Sequence, residues 1–271
     1  MNNLKLPKSF WLNIIVLLLG YVILSALAGK LLSPAILMLA NFSEAHYYAI
    51  TNFASLCLIA PAYVFLIRRF GAEVEEDLQF KAIEITRYFF AGLTLLAFTS
   101  LPLFALGYYQ ISEIRTPNEV IFVLIALTGQ AITGEILFRG LLFRKCECKF
   151  GTFNSLLGLS LVLALLNILI DGSNWLVLLT TFMLHIVLTL IYIVSRNIWL
   201  AGMFYAGFLY SKFLSGVVDE HWRNSAPFLG EISGPQILTG GNLGPDASVI
   251  TLITFSLVGV YLWKKARIGK N

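Results

Sequence analysis

Eight predominantly apolar stretches run along this chain, at 10–29, 47–67, 87–109, 120–143, 153–170, 174–194, 197–215 and 247–263. Each is close to the length of about 20 residues at which a helix spans the hydrocarbon of a bilayer. Composition agrees with that pattern. Of 271 residues, 58% are hydrophobic and 13% charged, about half the charge of an ordinary soluble domain. These figures exclude a disordered chain, a nucleic-acid binder with a basic face, and a cytosolic Rossmann or TIM-barrel enzyme. The expected fold is all-α: a single polytopic membrane domain over 1–271 with about eight transmembrane helices. Its first partner is the lipid bilayer, and no nucleic acid is expected.

Eight spans leave both termini on one side, and the basic residues say which. On that side fall Lys5, Lys8, Arg68, Arg69, Lys81, Arg87, Arg144, Lys145, Lys149, Arg196, Lys264, Lys265, Arg267 and Lys270. The other side receives Lys30, Arg115, Lys212 and Arg223, while Arg139 lies within a span. Cytoplasmic loops carry the excess of Lys and Arg, so both termini are expected in the cytoplasm. Trp11, Trp175, Trp199 and Trp263 fall near span ends, where an indole sits well at headgroup level. The first stretch is expected to remain as an uncleaved span. The segment 71–86 is acidic and reads as a solvated, amphipathic connector. The longest loop, 216–246, contains Pro227, Pro235 and Pro245 and is rich in glycine. Cys57, Cys146 and Cys148 give no disulfide framework.

Ionisable residues inside spans are functional candidates by default, because each costs about 2.5–3.5 kcal/mol to insert. The fourth stretch supplies Glu135 and Arg139 in TGEILFRGLLF. Four residues apart, they share a helix face, with the acid N-terminal to the base. The structural reading is an intrahelical salt bridge, and the functional reading makes Glu135 a general base. Asn167, in LVLALLNILI, is expected to make an interhelical hydrogen bond. His185 reads as a satisfied bundle histidine, and Lys212 as a span-end lysine that snorkels. The other two histidines, His46 and His221, lie in or beside loops. No spacing builds a zinc site, so no metal is expected, and no cofactor either.

At Gly134-Glu135-Ile-Leu-Phe138-Arg139-Gly140 the chain resembles the CPBP family of intramembrane proteases (CAAX protease and bacteriocin-processing, also called Abi), whose first motif is EExxxR. NIWLAGMFYAGFL is similar to the family helix that carries HxxxN. LTGGNLGPDAS at 238–248 is similar to a segment before the last span in many prokaryotic members. The resemblance covers about 119–264. It implies an intramembrane glutamic endopeptidase in which the first glutamate of EExxxR and a histidine from FxxxH activate water, while the histidine and asparagine of HxxxN complete the site. In this chain those positions fall on Gly134, on Leu163 and Asn167, and on Tyr205 and Leu209. Glu135 and Arg139 remain. Successive helical residues point about 100° apart, so Glu135 faces away from the lost glutamate, and paired with Arg139 it is a weak base.

These departures imply a catalytically degenerate CPBP member, a pseudoenzyme of the plasma membrane, that binds a membrane protein or peptide in the former active-site cavity. An alternative is an active endopeptidase with a rearranged site built on Glu135 and His185. A third reading, a small membrane transporter, meets only one ion pair within the spans and no repeated half.

Overall fold

The computed structural model describes residues 10–32, 34–35, 43–70, 79–171, 174–217 and 220–266. Lys5, Lys8, Arg267, Lys270 and the first half of the 71–86 connector (71–78) lie outside the described residues, as do the side chains of Trp11, Arg68, Arg69 and His221. Eight long helices occupy the eight apolar stretches. They are α1 (Phe10–Leu27), α2 (Glu44–Phe70), α3 (Ala82–Ala105), α4 (Val120–Phe150), α5 (Thr152–Asp171), α6 (Trp175–Ser195), α7 (Ile198–Ser215) and α8 (Val249–Ala266). Six of them, α2–α6 and α8, are long and apolar enough to cross a membrane.

Burial explains why they bundle in lipid. Leu19, Val22, Ile23, Phe65, Phe98, Leu101, Leu169, Leu257 and Val260 all face outward and exposed, which is a lipid-facing surface rather than a water-facing one. The interior is equally apolar, with Tyr63, Leu96, Ile136, Phe143, Leu188, Tyr192, Leu200, Phe204 and Phe255 packed together. Lipid tails are as apolar as leucine, so helix association rests on close packing and buried polar contacts. Enclosed by α3, α4 and α6, α7 can carry Gly202, Gly207 and Ser211 because it faces protein rather than lipid.

Local sequence sets the helix ends. Asn174 caps α6 by accepting from the Leu176 and Val177 N–H groups at 3.0 and 3.1 Å, the role an N-cap amide is suited to. Only Arg196 and Asn197 join α6 to α7. Arg196 adopts φ 45°, and the Asn197 side chain accepts from Leu200 N at 3.3 Å while donating to the Gln79 carbonyl at 2.8 Å. The Arg196 guanidinium grips Glu147 through two bonds of 2.7 and 2.9 Å. That bidentate pair ties the α6–α7 corner to the end of α4.

The segments expected as loops are more ordered than their composition indicates. Tyr109–Ile114 (β1) pairs antiparallel with Phe228–Ile232 (β2), with Tyr109 opposite Ile232, Ile114 opposite Phe228 and an irregularity between Ile111 and Glu113. Short helices lie at Glu220–Arg223 and Gln236–Thr239. Within the 216–246 loop, the described residues therefore form an ordered cap that carries a strand. Gly216 makes this possible. It ends α7 at φ 70°, and a Cβ there would overlap the Phe228 carbonyl. At the same end, the Ser225 hydroxyl donates to Glu119 at 2.6 Å. The Ser225 and Ser43 hydroxyls hold the Glu119 carboxyl below its ordinary range.

Candidate functional site

The residues of the motif-bearing segment meet where α4 departs from regular α-helix. Val120–Glu135 is α-helical, Ile136–Phe143 is π-helical, and Arg144–Phe150 returns to α. Such π-helical insertions are rare and frequent at functional sites. Here the insertion begins immediately after Glu135 and contains Arg139. Both side chains are enclosed, at 1% and 0% exposure. Arg139 Nη1 donates to Glu135 Oε1 at 2.6 Å.

Arg139 also reaches across to α6. Its Nε donates to Thr189 Oγ1 at 3.3 Å, and its Nη2 donates to the His185 carbonyl at 3.0 Å. Nη2 also lies 3.2 Å from His185 Nδ1. A guanidinium has donors only, so Nδ1 must be the unprotonated nitrogen, and the imidazole is neutral with its proton on Nε2. Thr189 Oγ1 in turn donates to the His185 carbonyl at 2.7 Å. The Phe138 ring stands edge-on to His185, with 6.5 Å between centroids. The guanidinium is thus the hub that joins Glu135 to His185, two residues that sequence spacing gave no reason to bring together.

From α7, Tyr205 lies within electrostatic reach of both Glu135 and Arg139, and also of Lys212 and Asp246. Leu209, one turn further, packs between the two apolar clusters of the interior. A Cβ on Gly134 would meet no clash, with a Phe138 ring carbon at 4.0 Å in ordinary van der Waals contact. Asn167 departs from expectation. It is half-buried on α5, and among the described residues it makes no interhelical hydrogen bond and none to the Glu135–Arg139–His185 group. The α5 helix turns an apolar face of Leu161, Leu165, Leu166 and Leu169 outward, whereas Asn167 continues, toward the helix end, the inward stripe of buried Leu156, Ser160, Leu163 and Ala164.

Lys212 is also corrected. Instead of snorkelling alone, its Nζ meets Asp246 Oδ2 at 2.8 Å, with both side chains about three-quarters buried. Sequence reasoning missed Asp246 and Thr189. Thr189 carried a usable signal, one helical turn after His185. Asp246 lies within the family-like segment 238–248, but nothing in its spacing pointed to Lys212, because that contact comes from the cap folding over the end of α7. Two carboxylate oxygens in this region, Glu135 Oε2 and Asp246 Oδ1, are buried with no hydrogen-bond partner. Among the described residues no cluster of His, Cys, Asp or Glu could hold a metal ion.

Residues 116–210 match the family described as Rce1-like, type II CAAX prenyl endopeptidase Rce1-like. Over this stretch the chain is similar to the CAAX-protease family. The match starts just before α4 and ends within α7, so it takes in Gly134, Glu135, Arg139, Asn167, His185, Tyr205 and Leu209. It stops short of Lys212 and of the 238–248 segment. A search of curated proteins returned no match. The family match and the apolar helices make this a CAAX-protease-like, multi-pass integral membrane protein.

Proposed function

We propose that this protein is a catalytically degenerate CAAX-protease-like membrane protein that holds a membrane protein or peptide where its relatives perform hydrolysis. The observation that carries the reading is the position of the Arg139 guanidinium. It stands between the Glu135 carboxylate and the neutral His185 ring, bonded to both, in the place where a shared water would have to be activated. A general base must reach the proton it abstracts. Here the unprotonated imidazole nitrogen and one carboxylate oxygen reach a guanidinium instead, and the ion pair weakens the other oxygen, Oε2, as a base. The glycine at 134, where the family resemblance calls for a glutamate, supports the same reading.

Loss of a general base lowers rate by about 10²–10⁴, and loss of an oxyanion donor by about 10²–10³. Purified in lipid and given a prenylated CAAX-type peptide, the unaltered chain is therefore expected to show no cleavage, followed by mass spectrometry. Gly134→Glu, Asn167→His, Tyr205→His and Leu209→Asn combined supply the comparison. Turnover by the unaltered chain that disappears in folded Glu135→Gln or His185→Ala protein would establish the alternative, an active endopeptidase with a rearranged site.

The proposed setting is the plasma membrane with both termini cytoplasmic, supported by the fourteen-to-four division of basic residues. The helix ends carrying Arg144, Lys145, Arg196 and Lys264 would face the cytoplasm, and the β1–β2 cap would face outward. In a variant lacking the native cysteines, an impermeant thiol reagent applied to intact cells should label Asn224→Cys and not Lys265→Cys. The reverse pattern would overturn the orientation.

A further inference from the structure

We infer that the buried site around Glu135 recognises an uncharged hydrogen-bond donor, such as a peptide amide, and rejects a carboxylate. This inference rests on the proposed binding role and adds the chemistry of what is bound. An arginine in a membrane cavity ordinarily invites an anion, because its planar fork suits carboxylates and phosphates. Arg139 has no fork left to offer. Of its five N–H donors, Nε is bonded to Thr189, one on Nη1 to Glu135, and both on Nη2 to the ring nitrogen and carbonyl of His185. Every one of these partners belongs to the protein.

What the site does offer is acceptors. Glu135 Oε2 is fully enclosed and has no partner, and Asp246 Oδ1 is likewise buried without one. A buried polar atom left unpaired is costly, so a ligand that supplies a donor there gains what a purely apolar ligand cannot. Charge then selects among donors. Glu135 is balanced by Arg139 and Asp246 by Lys212. An incoming ammonium would add an unbalanced positive charge to a low-dielectric interior, which is expensive. An incoming carboxylate would face Glu135 Oε2 directly, with like charge, and only the single remaining Nη1 N–H of Arg139 would be left to bond it, too few for a bidentate grip. An amide N–H or a hydroxyl meets neither penalty.

The test uses the full chain in lipid nanodiscs and three matched probes: an N-acylated apolar dipeptide ending in a primary amide, in a free carboxylate, or in an aminomethyl group. Binding is followed by quenching of intrinsic tryptophan fluorescence with a brominated acyl chain. The amide probe is expected to bind tightest, by about tenfold or more over the carboxylate, as a hydrogen bond to a charged acceptor implies. Glu135→Gln, which keeps Arg139 bonded but turns the free oxygen into a donor, is expected to abolish that preference. Should this variant fold poorly, infrared spectra of the unaltered protein labelled with ¹³C-glutamate give a second readout. The amide probe, and not the carboxylate, should shift one carboxylate stretching band. Carboxylate or ammonium binding as tight as the amide, or an unshifted band, would overturn this inference alone. Cleavage of a probe would overturn the non-peptidase reading and leave this one standing, and absence of binding by all three would overturn both.

Discussion

Glu135→Gln should lower the stability of this protein by about 3–5 kcal/mol, the cost of removing one partner of a buried ion pair. The pair is enclosed on all sides and 2.6 Å long, so the arginine left behind keeps its charge with no counterion and no water. Arg139→Gln should cost less. A stranded carboxylate can neutralise itself by taking up a proton, whereas a guanidinium cannot shed one. Glu135→Gln combined with Arg139→Gln should recover part of the loss, because no net charge remains buried. Thermal melting in detergent or nanodiscs, followed by circular dichroism, orders the three variants. An unchanged melting temperature in Glu135→Gln would mean that the glutamate is held for a ligand or for chemistry and not for the bundle. The arginine variant also cuts the bonds to Thr189 and His185, so it should loosen the α4–α6 contact even where the charge is relieved.

The second large effect concerns the crossing of α3 and α7, the most extensive helix pair in the bundle. A Cβ placed on Gly92 would overlap the Phe204 carbonyl, and one placed on Gly207 would overlap the Phe89 carbonyl. The two glycines face each other's backbones, which is how helices approach closely in lipid. Overpacking usually costs about 1–3 kcal/mol. Because the obstacle here is backbone and not a side chain that can turn away, Gly92→Ala and Gly207→Ala should each lie at or above the top of that range. The double variant should cost less than the sum, since helices parted by one methyl have already made room for the other. Gly20→Ala is the control, with no atom within 4 Å of the added Cβ, and its melting temperature should stay put. Equal melting temperatures for Gly92→Ala and Gly20→Ala would mean that α3 and α7 do not cross as described. Because Tyr205 and Lys212 ride on α7, these alanines should also weaken binding at the site without touching it.

Length and polarity of local segments determined the membrane class, the eight helices and their approximate ends. These depend on nearest neighbours along the chain: an apolar run near 20 residues satisfies its own backbone bonds as a helix wherever it lies in the bilayer. The closeness of Glu135 and Arg139 was legible for the same reason, since a spacing of four puts two side chains on one helix face. The i,i+4 rule did not foresee the π-helical turn between them, which registers how α4 packs. What only the tertiary structure decided are contacts between distant segments. His185 reaches Arg139 across 46 positions, Lys212 reaches Asp246 across 34, and Ser225 reaches Glu119 across 106. Asn167, read as a buried amide from its apolar neighbours, is half-buried on the inward stripe of α5 and makes no interhelical hydrogen bond among the described residues, because helical spacing sets which face a side chain is on but not which partner stands opposite it. The strands β1 and β2 were invisible as well. Each is a few residues of mixed polarity, and pairing came only when the bundle brought the ends of α3 and α7 together. In a bilayer, local hydrophobicity places a helix across the membrane, while the partners of its few polar groups are chosen by how the helices turn against one another.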